Sequence, residues 1–325
     1  MTEIDELNKS ISKGLSLASS GKGREAIALY DEIVERYGTA REPEIRDGIA
    51  IALFNRAVAL ADRGDLDEAE AAYLALAERF RDDTSVKTRA EVARALSNRG
   101  LLLGRQGRKN EAINSFEDAI SISAGSRDDR LRVQWAIAMA NAISFLWDDR
   151  RSSEAMPMCR AVINEIGSDP NEAFDQPLSA VLFTQGRILH ELNVYDQEIV
   201  AYEKVLDRNR GSPNEQCLRN VLDALFNRAL CFEKMDWPEL ALNAYDEWLD
   251  EAGHASFDVE EQHAKVLMGK AIEQVKLGQV DRAANTLDVL IRDCGRNTQP
   301  VVREIVNSAA RMSNVLEDHR GGPQE

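Results

Sequence analysis

Hydrophobic positions in this sequence follow the period of an α-helix and come in pairs of amphipathic segments. A clear pair begins with Leu53, Ala57 and Leu60, whose spacings of four and three place them on one helical face. Gly64 then ends that helix, and a second amphipathic segment covers residues 66–80. The pattern predicts two helices joined by a short turn.

This hairpin is repeated along the chain with a period of 43 residues. The text of residues 53–73, LFNRAVALADRGDLDEAEAAY, returns at residues 96–116 as LSNRGLLLGRQGRKNEAINSF. One column, meaning one position followed through successive copies, is alanine in all copies but one: Ala26, Ala69, Ala112, Ala155, Glu198, Ala241 and Ala283. Its members are 43 residues apart, except that the last step is 42. Seven copies therefore fill most of the chain.

Two further columns indicate how the helices pack. Four residues after the alanine column most copies carry a large side chain: Tyr30, Tyr73, Phe116, Cys159, Tyr202, Tyr245 and Leu287. Twelve residues before it most copies carry a small one: Gly14, Ala57, Gly100, Gly186, Ala229 and Ala271, with Ile143 as the exception. A small residue lets a neighbouring backbone approach closely, and an aromatic side chain fills the remaining gap. This packing is typical of stacked helical hairpins in a solenoid.

The copies resemble the tetratricopeptide repeat. The sequence pattern of that family is a small residue, then G…EA, then an aromatic residue, and the resemblance covers roughly residues 5–295. The period exceeds the family's usual ~34 residues by about nine. Apolar pairs spaced by four occupy equivalent places before several first helices: Ile45 and Ile49, Leu131 and Trp135, Phe174 and Leu178, Cys217 and Val221. We therefore predict that the first helix of each copy is extended at its N-terminus.

We predict an all-α fold, a right-handed α-solenoid of seven helix-turn-helix repeats plus a C-terminal capping helix. The predicted repeats are residues 1–41, 42–84, 85–127, 128–170, 171–213, 214–255 and 256–298. Val302 and Val306 continue the columns of the extended first helices, so residues 299–318 are predicted to cap the last hairpin and residues 319–325 to form a disordered tail. Pro157 falls inside a predicted helix, which it should kink or shorten.

The exposed face of the first helices is the predicted binding surface, because it would line the concave groove of the solenoid. A column of short polar side chains runs along it: Asn55, Asn98, Asn141, Thr184 and Asn227. An amide offers both a donor and an acceptor, so such a ladder can bind a peptide backbone whatever its sequence. In tetratricopeptide proteins that bind peptides, asparagines in this column do so, and the resemblance implies the same here. The alternative is that these amides bond neighbouring helices or water.

Aromatic and charged residues flank this polar column. The predicted groove residues are Phe54, Trp147, Phe183 and Phe226, with Arg94, Arg105 and Arg187, and with His190 as a polar wall. Lys265 and Asp223 belong to the same surface, whose basic and acidic side chains nearly balance. We therefore expect a partner segment of mixed or modestly acidic character.

Composition excludes several classes of function. The 325-residue chain has a net charge of −16 and an isoelectric point near 4.9, which disfavours nucleic acid and anionic membranes as partners. It shows no signal-peptide pattern and no apolar run of about 20 residues, so we expect a cytoplasmic protein. Four cysteines without CxxC spacing predict buried, reduced thiols. Since no HExxH, GxSxG or phosphate-loop motif occurs, we expect no catalytic residue, metal or cofactor.

The sequence thus predicts a non-enzymatic scaffold or adaptor for protein–protein interaction, which binds an extended peptide segment of a partner in its concave groove. The alternative is a regulatory sensor whose superhelix changes shape on binding a small peptide or metabolite. A sensor needs a bistable element, and the sequence offers the irregular fourth copy around Pro157 as a candidate hinge.

Overall fold

The structure, a computed structural model, describes residues 2–212 and 214–320, with side chains described up to residue 317. Within those ranges it contains fifteen α-helices, one short 3-10 helix and no strand, so the all-α prediction is confirmed. The α-helices are α1 Glu3–Ser19, α2 Gly23–Tyr37, α3 Pro43–Asp62, α4 Leu66–Arg79, α5 Val86–Arg105, α6 Lys109–Ser123, α7 Asp129–Asp148, α8 Ser152–Ile166, α9 Asp175–Glu191, α10 Tyr195–Asn209, α11 Glu215–Lys234, α12 Pro238–Ala252, α13 Glu260–Lys276, α14 Val280–Cys294 and α15 Pro300–Arg320. The 3-10 helix is Glu172–Phe174. Most of the predicted tail, residues 321–325, lies outside the described residues.

First and second helices of the hairpins differ in length. The first helices α3, α5, α7 and α11 have 20 residues each, whereas the second helices α2, α4 and α6 have 14 or 15. The additional residues stand at the N-terminal ends of the first helices, where Ile45, Ile49 and Leu131 are buried. The predicted N-terminal extension is therefore confirmed for these four helices, whereas the first helices α1, α9 and α13 have 17 residues each.

The turn inside each hairpin has the same backbone conformation in every copy. The residue five before the alanine column has a positive φ in all of them: Gly21, Gly64, Gly107, Arg150, Asn193, Asp236 and Gly278. The residue that follows donates its N–H to a carbonyl five residues back, as from Asp65 to Leu60 at 3.0 Å and from Arg151 to Leu146 at 2.8 Å. This Schellman arrangement satisfies carbonyls at the helix end. Arg150 has a φ of 60°, which is a left-handed conformation that glycine adopts readily but that a residue with a Cβ atom adopts only with strain.

The small and aromatic columns meet inside the hairpins as predicted. A Cβ atom on Gly100 would lie 2.5 Å from the ring of Phe116, and one on Gly186 would lie 2.8 Å from Tyr202. These aromatic side chains are buried. The first helix can approach the second this closely only where it carries a small residue.

The chain divides into two compact units, Met1–Val181 (unit 1) and Leu182–Glu325 (unit 2). Unit 1 contains α1–α8, the 3-10 helix and the start of α9. Its core is apolar and includes Leu7, Ile49, Leu76, Leu103 and Leu131.

Unit 2 contains the end of α9 and α10–α15. Its last helix covers the hairpin formed by α13 and α14: Val302 is fully buried in a cluster with Ala264 and Cys294, and Ala309 packs in a cluster with Leu287. The prediction of a C-terminal capping helix is confirmed.

Pro157 does not shorten its helix, so the expectation of a shortened helix is wrong. Helix α8 keeps 15 residues, the same length as α6 and α10. Pro157 lies near the start of α8 on its exposed side, and Ser153, whose carbonyl loses its helical donor, is exposed as well. Water can satisfy that carbonyl, so the proline is tolerated. The four cysteines are buried free thiols, as predicted.

Candidate functional site

The predicted asparagine column is half-buried and already takes part in internal hydrogen bonds. Asn55 donates from Nδ2 to the carbonyl of Ile51 at 2.9 Å, and Asn98 donates to the hydroxyl of Tyr73 at 3.4 Å. In unit 2, Asn227 donates to the Asp223 carbonyl at 2.8 Å. These bonds use one N–H of each amide and leave the amide oxygen and the second N–H outside them. Asn55 and Asn227 thus bond their own helices, Asn98 bonds the second helix of the preceding hairpin, and all three retain groups that suit a peptide backbone.

Two predicted groove residues are buried, and their assignment to the groove wall is wrong. Phe54 is 4% exposed and Thr184 is 2% exposed. Phe54 instead packs on Tyr73, with ring centroids 6.3 Å apart, and the Arg94 guanidinium covers its ring at 4.1 Å. Hence Arg94, rather than Phe54, is the exposed group here, because the aromatic ring fills the space beneath it.

The remaining predicted residues lie at the surface to different degrees. Arg105 and Arg187 are exposed, and Asn141, Trp147, Phe183, Phe226 and His190 are half-buried. In unit 1, Glu91 holds Arg94 at 2.8 Å. Burial raises the pKa of the Glu91 carboxyl even though Arg94 opposes that shift.

Unit 2 contains a cavity of 570 Å³ at the exposed face of its first helices α11 and α13. Residues of α11 and α13, the segment that precedes α13, and Gln299 line it: Gln216, Arg219, Leu222, Asp223, Phe226, Phe257, Asp258, Val259, Glu260, Glu261, Gln262, Lys265 and Gln299. The sequence predicted Asp223, Phe226 and Lys265 for this surface. It missed Phe257, which lies outside the repeated columns.

Polar contacts hold the walls of this cavity in place. The Arg219 guanidinium lies 3.6 Å from the centre of the Phe257 ring and also binds Glu215 at 2.7 Å. Gln262 donates from Nε2 to Asp223 Oδ1 at 3.1 Å. The cavity walls remove water from the Asp223 carboxylate and so raise its pKa, although the Gln262 bond opposes this.

Unit 2 also contains a cluster of polar side chains outside this cavity. His190 Nδ1 is 3.1 Å from Glu198 Oε2, and both are close to the Cys231 thiol. Glu198 is 2% exposed, and the Tyr202 hydroxyl donates to its other oxygen at 3.2 Å. His190 is therefore the half-exposed member of a cluster whose other two members, Glu198 and Cys231, are buried. The sequence signal for this cluster was Glu198 in a column otherwise made of alanine.

Comparison with known families agrees with this geometry. Two tetratricopeptide-repeat models match the chain, one at residues 11–84 and one at residues 48–124. Residues 11–124 of the chain therefore consist of tetratricopeptide repeats. No curated protein matches it in sequence. None of the described helices is long and apolar enough to cross a bilayer.

Solved structures share the fold at low sequence identity. RapI, in its apo form, is 12% identical with a TM-score of 0.67, over 96% of this chain and 82% of RapI. The quorum sensor NprR from B. thuringiensis, also in its apo form, is 13% identical with a TM-score of 0.52, over 95% of this chain and 81% of NprR. PilF from Pseudomonas aeruginosa is 17% identical with a TM-score of 0.52, over 81% of this chain and 99% of PilF. At these identities the likeness concerns the fold alone.

Proposed function

We propose that this protein is a non-enzymatic interaction module that binds an extended segment of a partner protein on the exposed face of its first helices. The observation that carries the proposal is the 570 Å³ cavity lined by α11 and α13 in unit 2. These are first helices of successive hairpins, and their exposed face carries Asp223 and Phe226 in the cavity wall. In a concave site, placed polar groups beside an aromatic side chain can fix the orientation of a bound ligand.

Recognition of the partner's backbone would rest on side-chain amides. Gln216, Gln262 and Gln299 line the cavity of unit 2, and the first helices of unit 1 carry the asparagine column. Amides can donate to a peptide carbonyl and accept from a peptide N–H, so they bind backbone with little regard to sequence. Sequence selectivity must then come from the side chains between them.

The cavity favours a basic partner side chain. Asp223, Asp258, Glu260 and Glu261 line it, against Arg219 and Lys265. Lys265 is paired with Glu261 at 2.6 Å, and Arg219 is engaged with Glu215 and Phe257. The cavity therefore presents an excess of carboxylates, and complementary charge on a ligand fixes its register. This differs from the mixed or modestly acidic segment expected from the whole groove.

A displayed library of random peptides tests the cavity. We expect selected peptides to carry a Lys or Arg, and we expect Phe226→Ala to weaken their binding at least about tenfold, as for a central aromatic contact. Leu240→Ala is the matched control, because Leu240 is an exposed apolar residue of unit 2 outside the cavity. Selected peptides whose binding ignores Phe226→Ala would contradict the proposed site.

The asparagine column of unit 1 has its own test. Replacing Asn98 and Asn141 together by alanine removes two amides, each worth about 0.5–1.5 kcal/mol if hydrogen-bonded to a peptide. The affinity of a bound partner segment should fall by about one to two orders of magnitude, with helicity unchanged. Affinity that stays constant, or helicity that is lost, would show that the column is structural.

The alternative function is a sensor that changes shape when it binds a small peptide or metabolite. The fold likeness to NprR, itself a quorum sensor, is the observation in its favour. Helix α8 is not shortened at Pro157, so its length gives no support to the hinge that the sequence offered there. Small-angle scattering with and without a selected peptide distinguishes the two functions, because a module with a preformed surface should keep its dimensions.

A further inference from the structure

We propose that His190, Glu198 and Cys231 form a binding site for a divalent transition-metal ion of the Zn²⁺ type. The proposal is independent of the peptide-binding surface. One ligand atom from each residue lies within 4.8 Å of the others: His190 on α9, Glu198 on α10 and Cys231 on α11. A bound ion would therefore join both helices of the fifth hairpin to the first helix of the sixth.

The position of Glu198 is the first argument. Its column is alanine in the six other copies, and all six alanines are fully buried. A carboxylate at this position is placed where the fold needs only a methyl group. Burying a charged group costs free energy unless a partner compensates it. Apolar packing does not account for the carboxylate, and beside its contacts with Tyr202 and His190 it lies next to a further donor atom, the Cys231 sulfur, as a cation site requires.

The donor set is the second argument. Imidazole nitrogen, thiolate sulfur and carboxylate oxygen are the three ligand types that Zn²⁺ accepts in proteins. Mg²⁺ and Ca²⁺ prefer oxygen ligands, so a site with nitrogen and sulfur disfavours them. Among the described residues, one group combines these three ligand types, and its members come from three different helices.

The geometry requires only local adjustment. A tetrahedral ion with bonds of about 2.0–2.3 Å needs donors about 3.3–3.6 Å apart. His190 Nδ1 and Glu198 Oε2 are already 3.1 Å apart, and the His190 side chain is 42% exposed, so one side of its ring faces solvent. That exposed side also leaves room for water as a fourth ligand.

Outer contacts already orient the carboxylate. Tyr202 donates to Glu198 Oε1, so Oε2 is the oxygen turned toward His190. Such bonds from a second layer of residues commonly hold ligands in place. Metal binding replaces the thiol proton, which leaves to solvent as the sulfur–metal bond forms.

Titration of the reduced protein with Co²⁺ tests the site, because Co²⁺ occupies Zn²⁺ sites and reports its ligands by absorption. We expect one Co²⁺ per chain, a thiolate-to-cobalt charge-transfer band in the near ultraviolet, and the visible bands of a four-coordinate ion. Zn²⁺ should displace Co²⁺ and abolish the spectrum, whereas Mg²⁺ should not. Zn²⁺ should also raise the melting temperature, since it binds the folded state.

Variants locate the ion. Cys231→Ser should remove the charge-transfer band, and Glu198→Ala should weaken Co²⁺ binding at least about tenfold. Glu198→Ala restores the residue of every other copy, so it is compatible with the fold. Cys294→Ser and His254→Ala are matched controls in unit 2: Cys294 is buried and His254 is exposed, both outside the cluster.

The outcomes separate the proposal from its alternatives. No cobalt spectrum in the wild-type protein would show that the cluster is a hydrogen-bonded network only, and the proposal would be wrong. Cobalt that binds without a thiolate band, or equally well to Glu198→Ala, would be held by surface groups and would also overturn it.

Discussion

The two units place very different side chains at the same four positions of the repeat. In unit 1, Gly104, Ala112, Phe116 and Phe145 form an apolar contact between the third and fourth hairpins, with the two phenylalanine rings 5.2 Å apart. Two periods later, unit 2 has His190, Glu198, Tyr202 and Cys231 at these positions. One backbone geometry therefore accommodates both an apolar interface and a buried polar cluster.

The difference shows what the repeat specifies. A hairpin interface in a stacked array needs a small residue, a large residue and a filled space between them. Gly104 leaves room for Phe145, whereas His190 at the equivalent position meets the smaller Cys231. The larger of the two facing side chains comes from the later hairpin in unit 1 (Phe145) and from the earlier hairpin in unit 2 (His190). The space between the hairpins is filled in both cases, although the chemistry of the side chains differs. At these four positions unit 1 buries only apolar side chains, whereas unit 2 also makes hydrogen bonds among His190, Glu198 and Tyr202.

The largest effect should come from the apolar interface. Phe116→Ala removes a fully buried ring between two hairpins, and such changes cost about 3–5 kcal/mol. Chemical denaturation followed by circular dichroism measures the loss of unfolding free energy. Leu74→Ala, at an exposed position of unit 1, is the control and should cost well under that. Equal losses would contradict the role of Phe116 as the filler of this interface.

A smaller effect distinguishes two tyrosines of the same column. Tyr202→Phe removes a hydroxyl that donates to buried Glu198, so the unfolding free energy should fall by about 1–3 kcal/mol. Tyr30 has a buried hydroxyl with no hydrogen-bond partner within residues 2–212 and 214–320. Tyr30→Phe should therefore be neutral or slightly stabilising. A comparable loss at both positions would show that the Glu198 contact contributes nothing specific.

The fold could be predicted from sequence because each of its rules acts between near neighbours. The alanine column, the small residue twelve positions earlier and the aromatic four positions later all lie within one hairpin, as Gly100 and Phe116 show. Even the turn conformation repeats where glycine is replaced by Arg150. The 43-residue period is therefore enough to predict where most of the helices lie.

The candidate sites were harder to predict because they join residues from different copies. Cys231 belongs to the hairpin that follows the one containing His190, so no pattern within one copy relates the two residues. Glu198, which replaces an alanine of the repeat, is the sequence signal for this cluster. Phe257 lies between α12 and α13, outside any repeated column, so periodicity gave no information about it. Phe54 and Thr184 were misplaced because helical spacing gives the direction of a side chain but not what covers it.

The turns give a third comparison, with an effect of about 1 kcal/mol. Arg150 and Asn193 occupy the same position with φ of 60° and 57°. An arginine pays the full cost of this conformation, while asparagine tolerates it better. Arg150→Gly should raise the unfolding free energy by up to about 1 kcal/mol. Asn193→Gly should change it less, and a larger gain at Asn193 than at Arg150 would contradict this account.

The smallest effect is a pH dependence of opposite sign in the two units. His263 in unit 2 packs edge-on against Trp248 at 6.0 Å, and burial lowers its pKa below 6.5 although Asp293 and Glu260 oppose this. The folded state then binds the proton less well than the unfolded state. The contribution of His263 is fully present above pH 6.5 and is lost as the pH falls through its folded pKa.

Glu91 in unit 1 has the reverse dependence. Burial raises the pKa of its carboxyl above 4.5, so its contribution is fully present below pH 4.5 and is lost as the pH rises through the folded pKa. Between about pH 7 and about pH 5, acidification should therefore destabilise the protein through His263 and stabilise it through Glu91. Denaturation of His263→Gln and of Glu91→Gln across this range measures each contribution as a difference from the wild type. Relative to the wild type, His263→Gln should gain stability as the pH falls and Glu91→Gln should lose it. Differences of the same sign would show that burial does not control these two groups.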